Sequence, residues 1–377
     1  MDRRFSPETE YFLHLIRCAV KGEVVEKPAE PIDWKILINL AKKQEVYSVI
    51  ASVLPKEFLP DEQATRLHNY SKSELARLIA MKSELALLEE ELGENGIDFM
   101  LLKGARIREF YPKESMRQMS DIDILYDENA RDKLLRIMKN YGYTLYSWSE
   151  NSDDFSKKPY YTFEFHRQLF FKDFENLADF SFVWDNAKRD EDNHHKCIMS
   201  DEDLYIHSTA HMYKHHVLGG FGLRFLLDTY LILTKAQNLD FGYINSKLES
   251  MKLADFEKQI RKLSFAVIDK KELTKEQVEF VTNVFSFGLY GDSGKGREVQ
   301  FEQFKAAHGG SSSMVKYTIS RLFPPSEYMH RTYRVLDKAP FLLPYFYVQR
   351  LVTKTITDGG KAAREIKDIN EVKKKDN

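Results

Sequence analysis

Two cysteines, Cys18 and Cys197, are all that 377 residues contain. That excludes a disulfide framework and a cysteine-rich zinc site, and it suits a reducing compartment. Glycine (17) and proline (11) are also scarce, at about 7% of the chain against an average near 12%, which disfavours a turn-rich all-β protein and favours helices. Neither sign of charge dominates: 56 Lys and Arg face 58 Asp and Glu, for a formal net charge of -2. No global basic field exists to recruit a long nucleic acid, so any polyanion needs a local site. Long apolar runs are missing too. The N-terminal stretch is interrupted by His14 and Arg17, too polar for a signal peptide. Ala339 to Val348 contains two prolines and falls short of the ~20 residues that span a bilayer. The expectation is a cytoplasmic protein with no membrane partner. What is plentiful is core material, 43% hydrophobic and 13% aromatic, on a chain long enough for two or three lobes.

The first 95 residues read as helices. Ser6 is an N-cap with Pro7 at the first helical position, and Phe12, Leu15, Ile16 and Ala19 recur at helical spacing. Asp33 caps a second helix carrying Leu37, Leu40 and Ala41. A third runs from Asp61 to Leu92 with Leu75, Leu78, Leu85 and Leu88 as its apolar stripe, and Asn95-Gly96 ends it. The texture then changes. Strand-like runs at 97–102, 122–126, 143–146 and 160–165 alternate with helical patterns up to Tyr111 and over 128–140. From Asp201 helices return at 203–216, 222–236, 255–270, 275–287 and 314–322. Residues 291–296 and 309–313 read as glycine-rich loops, and 359–377, with six Lys or Arg and four Asp or Glu, as a solvated helix or frayed tail. The expected class is α+β. A small mixed-sheet lobe over 96–190 is flanked by an N-terminal helical region, 1–95, and a mainly helical C-terminal region, 191–377.

Side chains two apart on a strand share a face, so Asp121 and Asp123 project together. At ~4 Å and an effective dielectric near 20 their repulsion is about 4 kcal/mol, which calls for a cation between them or a raised pKa. Mg²⁺ or Mn²⁺ is the natural hard-oxygen partner. Glu164, with Phe163 and Phe165 facing the other way, can complete a three-carboxylate metal cluster of the kind that serves phosphoryl or nucleotidyl transfer. The strand-to-helix turn at Lys103-Gly104 fits the same chemistry: glycine permits close approach of a phosphate, and the helix start offers free N–H groups. Lys103 and Arg117 add charge against a triphosphate. His207, His211 and His215 fall at four-residue steps on one helical face. They read either as a transition-metal site or as ordinary hydrogen-bonded histidines. The glycines at 291–296 lack the spacing of a phosphate loop, and the aromatics of 339–348 read as packing.

Leu101-Leu102-Lys103-Gly104, followed by Arg117-x-x-Ser120-Asp121-Ile122-Asp123-Ile124-Leu125, resembles the uncharacterised nucleotidyltransferase family of the DNA polymerase β-like nucleotidyltransferase superfamily. The resemblance implies that Asp121 and Asp123 are the metal-binding pair. Phe163 to Arg167 is similar to the family's acid-x-His segment, which makes Glu164 the third catalytic and metal-binding carboxylate and brings in His166. Residues 210–215 and 224–228 continue the likeness, and imply that His211, Lys214, Arg224 and Asp228 line the cleft from the helical region. With Lys103, Gly104, Arg117 and Ser120 they would bind the nucleotide and its phosphates. The implied reaction is Mg²⁺- or Mn²⁺-dependent transfer of a nucleoside monophosphate from an NTP, ATP foremost, to a hydroxyl of a small molecule or protein side chain. The departures are Gly104-Ala105 where the superfamily commonly has Gly-Ser, and Lys103 at a usually apolar place. The missing hydroxyl motivates an alternative, a non-catalytic nucleotide-sensing or protein-interaction module. A metal-dependent phosphohydrolase using the histidine cluster is a third reading.

Overall fold

The computed structural model describes residues 5–149, 151–159, 161–170, 177, 179–286, 288, 316–317, 320, 323–333 and 335–357. Its helices start where local chemistry says they should. The Ser6 side chain accepts the Thr9 amide at the head of α1 (Pro7–Lys21). Asp33 accepts the Lys35 and Ile36 amides ahead of α2 (Trp34–Lys43). After α3 (Tyr47–Ala51) comes α4 (Asp61–Glu94). Its expected stripe is buried only in part: Leu88 is fully buried, but Leu75 is 47% exposed. The buried positions are Leu67, Met81, Leu88 and Leu92, and the last three share a core with the sheet. Only the C-terminal half of α4 therefore lies on the strands.

The sheet is mixed and seven-stranded. Its strands are β1 (Phe99–Leu101), β2 (Ile122–Tyr126), β3 (Thr144–Trp148), β4 (Ser152–Lys157), β5 (Tyr161–His166), β6 (Lys188–Arg189) and β7 (Lys196–Ile198), in the order β3-β4-β5-β2-β1-β7-β6. Short helices α5 (Lys103–Ile107) and α7 (Phe182–Asp185), and the longer α6 (Arg131–Asn140), connect them. Then follow α8 (Asp201–Leu218), α9 (Leu223–Lys235), α10 (Phe241–Ser250), α11 (Ala254–Ile268) and α12 (Lys275–Ser286). The architecture is the expected α+β one. Strands β4, β6 and β7 and helix α10 were not anticipated. Ser-Asp-Asp-Phe-Ser-Lys is too polar to read as a strand, β6 and β7 are two and three residues long, and α10 buries only Ile244 and Leu248.

Alternation along the strands separates two cores. On one face Phe99, Ile122, Ile124, Phe163 and Phe165 pack with Leu134 and Met138 of α6 and the end of α4. On the other, Met100, Leu102, Leu125 and Cys197 join α1, α8, α9 and α11. Burying one large apolar side chain contributes about 1.5–3 kcal/mol, so Phe163 and Phe165, both fully buried, pin β5. A one-residue slip would drive Glu164 and His166 into the aromatic core. The register thus holds Asp123 and Glu164 on the face that looks toward α8.

Among the described residues no helix is long and apolar enough to cross a membrane. Helices Ser326–Thr332, Val335–Lys338 and Leu343–Thr357 close the described chain. The aromatics of 339–348 pack only in part: Phe346 and Tyr347 lie against Met329 and Leu336, whereas Phe341 and Tyr345 are exposed. The helix expected at 314–322 lies largely outside the described residues. The loops at 291–296 and 309–313 and the 359–377 tail lie wholly outside them.

Candidate active site

β2 and β5 run parallel, and Asp123 stands directly beside Glu164 in their register. Asp123 Oδ1 accepts two bonds, from Lys103 Nζ at 2.7 Å and His166 Nε2 at 2.8 Å. His166 Nε2 is also 3.5 Å from Glu164 Oε1. Ligand atoms of Asp123, Glu164 and His166 lie within 4.8 Å of one another. Two hard carboxylates and an imidazole in that space fit a divalent ion such as Mn²⁺ or Mg²⁺. Among the described residues no other trio of potential ligands converges this way. Asp121, the remaining expected ligand, lines the same cavity but stands outside that trio.

Charge makes the neighbourhood tense. Burial opposes ionisation of Asp123, yet the Lys103 ammonium and His166 hold its carboxyl far below the usual range. Burial likewise works against the Lys103 charge, and Asp123 and Glu164 more than restore it, so its pKa is raised. For Asp121, burial and then the charges of Asp123 and Glu164 push the pKa up. A fourth carboxylate escaped the sequence reading. Asp154 sits opposite Glu164 across β4 and β5, which makes Asp123, Glu164 and Asp154 a row across three strands. Burial and the Glu164 charge raise Asp154 to about 6. The signal was hidden because β4 does not read as a strand.

A cavity of about 360 Å³ opens above Asp123 and Glu164. Lys103, Gly104, Arg117, Ser120 and Asp121 line it from the sheet side; His211, Lys214, Arg224 and Asp228 line it from α8 and α9. Of the expected residues, only His166 lies beneath the lining, bonded to Asp123. The two expected phosphate-binding arginines are engaged with protein. Arg117 makes a bidentate pair with Asp228, at 3.0 and 2.8 Å, and Tyr111 donates to the same carboxylate at 2.7 Å. Arg224 donates to the Gln118 carbonyl at 3.2 Å and pairs with Glu45. Together they clamp the segment leading into Asp121. Gly104 serves this clamp: a Cβ there would run into the Arg117 guanidinium and come within 2.7 Å of Met119 Sδ. Ala105 is buried in the aromatic-side core and does not line the cavity, so the departure from Gly-Ser removes no cavity group.

Lys214 is the cation left over. It forms no hydrogen bond or ion pair among the described residues. Burial, with Lys103 nearby, lowers it to about 8.

Three of the four histidines of α8, His207, His211 and His215, line the cavity. They do not form a three-ligand set among the described residues, although His211 and His215 meet at 3.2 Å between their Nε2 atoms. Burial and then Lys103 hold His207 down to about 3; burial and then Lys214 do the same to His215. His207 Nδ1 is buried with no hydrogen-bond partner among the described residues. The folded chain therefore refuses protons that the unfolded chain takes up below about pH 6.5. The stability these neutral rings confer is complete above that value and is lost as pH falls toward 3. Melting temperature is expected to drop through that window, and to drop less steeply in His207→Gln. An identical slope in the variant would remove His207 from the account.

The sequence pattern of the family described as "Uncharacterised nucleotidyltransferase" matches residues 30–268. Among solved structures, similarity extends to an antigenic nucleotidyltransferase-like protein from Paracoccidioides brasiliensis. It is 14% identical, with a TM-score of 0.31, over 52% of this chain and 95% of that chain. No curated protein gives a match. The family match begins just before α2, takes in every strand of the sheet and both helices that roof the cavity, and stops at the last residue of α11; the chain belongs to the uncharacterised nucleotidyltransferase family.

Proposed function

We propose that the chain transfers a nucleoside monophosphate from an NTP, ATP foremost, to an acceptor hydroxyl on a small molecule or a protein side chain. The observation that carries this reading is the convergence of Asp123, Glu164 and His166 at the foot of a polar cavity. Asp123, Glu164 and His166 would hold a Mg²⁺ or Mn²⁺ ion, with Asp121 beside them. When bound, the ion supplies positive charge against the attacking and leaving oxygens.

The chain's own groups do the rest. Lys214, with no hydrogen-bond or ion-pair partner among the described residues, and Lys103 at the strand end face the phosphates. Arg117 and Arg224 position the segment that carries Ser120 and Asp121. The acceptor oxygen bonds to the α-phosphorus as the bond to the bridging α,β-oxygen breaks, and that electron pair leaves on pyrophosphate. Glu164 is the carboxylate placed to take the acceptor's proton. Asp154, with a pKa near 6, stands beside it to pass the proton to solvent.

The test is incubation with α-labelled NTPs and Mn²⁺ in the presence of cell extract as an acceptor pool. Pyrophosphate and a labelled adduct, both absent with Asp123→Asn, are expected. Free phosphate would instead support hydrolysis, and nucleotide binding without any turnover would support a sensor.

A further inference from the structure

The pairing of β3 with β4 breaks at one residue. Leu145 stands opposite Phe155 and Ser147 opposite Asp154, which leaves Tyr146 as an extra residue between them. A bulge of this kind re-aims side chains, and bulges concentrate beside active sites. Leu145 and Phe155 pack in the aromatic core, and strict alternation from Leu145 would send Ser147 to that side as well. The extra residue instead keeps Ser147 opposite Asp154, which itself stands opposite Glu164. The row of Asp123, Glu164 and Asp154 therefore continues onto β3 as two hydroxyls, those of Ser147 and Tyr146.

The two hydroxyls are in different states. Ser147 is bonded to Asp154, which also accepts from Ser152 at 3.0 Å. Tyr146 forms no hydrogen bond among the described residues, and at 38% exposed it is open to solvent. Burial of part of the ring, and then the charges of Asp154, Glu164 and Asp121, push its hydroxyl up to about 12. Three acids of the site thus act on that one oxygen. In the sheet, Lys103 follows β1 on one flank of β2 and β5, and β3 lies on the other. That is the order a transfer needs, with phosphates on one side of the acids and the acceptor on the other. We propose that Tyr146 is a self-nucleotidylation site, a protein side chain that the active site modifies within its own chain. Its Oη bonds to the α-phosphorus of the NTP as the bond to the bridging α,β-oxygen breaks. That electron pair leaves on pyrophosphate, and the phenolic proton passes to the Glu164 and Asp154 pair. This rests on the reading given under Proposed function and names one acceptor for it.

The experiment incubates the full wild-type chain with α-labelled ATP and Mn²⁺ and no other acceptor, then maps the denatured chain by peptide mass spectrometry. A nucleoside monophosphate on Tyr146 is expected, with pyrophosphate released in equal amount. At saturating ATP the rate constant should not change on dilution, as befits a reaction within one chain. Tyr146→Phe, which keeps the ring, should lose the label, and Asp123→Asn should leave Tyr146 unmodified. Label on Ser120, Ser147 or another residue in place of Tyr146, a rate constant that falls on dilution, or turnover only when cell extract supplies an acceptor would each overturn the proposal. Mapping the wild type decides this even where a variant misfolds. Neither pyrophosphate nor label with extract present as well would instead overturn the underlying site reading, a different outcome from a wrong acceptor.

Discussion

Asp123→Asn is expected to lower the rate of nucleotide transfer by about a hundred- to a thousandfold or more, the scale on which losing one preorganised electrostatic group is felt. Asparagine keeps the shape and loses the charge. The oxygen that would hold the ion becomes a weak ligand, and Lys103 is left without the counterion that keeps it protonated in a buried setting. Mn²⁺ retention should fall together with turnover. Asp121→Asn should reduce retention less, because Asp121 stands outside the convergent trio. Circular dichroism on each variant separates a lost site from a lost fold. A folded Asp123→Asn protein that turns over normally would dispose of the catalytic assignment.

Asp228→Ala is expected to destabilise the fold by about 3–5 kcal/mol, the range for removing one partner of a buried ion pair. Arg117 and Asp228 have side chains only 6% and 4% exposed. Without the carboxylate the guanidinium keeps its charge and loses both bonds, and the Tyr111 hydroxyl loses its acceptor. Urea unfolding provides the measurement. Asp228→Asn, which retains one acceptor oxygen, should cost less. A double variant replacing both Arg117 and Asp228 by apolar residues should recover part of the loss, as paired removal leaves no orphaned charge. If Asp228→Ala unfolds at the wild-type midpoint, the pair is not a structural clamp.

Local signals carried much of this architecture. Ser6 and Asp33 announced helix starts, and the Phe163-Glu164-Phe165 alternation put the acid on the face opposite two core rings, where it lies. The Asp121 and Asp123 spacing pointed to one face for the same reason. What escaped depends on pairings between distant positions. Nothing near Arg117 signals that its partner is Asp228, 111 positions away. Lys103 reads as a phosphate ligand until the bend at φ +41° delivers it to Asp123. Asp154 became visible only once β4, a strand with hardly any apolar content, was seen to pair with β5.

The parallel pairing of β2 with β5 has a last consequence. Asp123 and Glu164 are the two ends of one rung between neighbouring strands, so the gap between their backbones follows the ~4.8 Å interstrand spacing. The separation of the two carboxylates is thereby gauged by backbone, in strands whose reverse side is bolted down by Ile122, Ile124, Phe163 and Phe165.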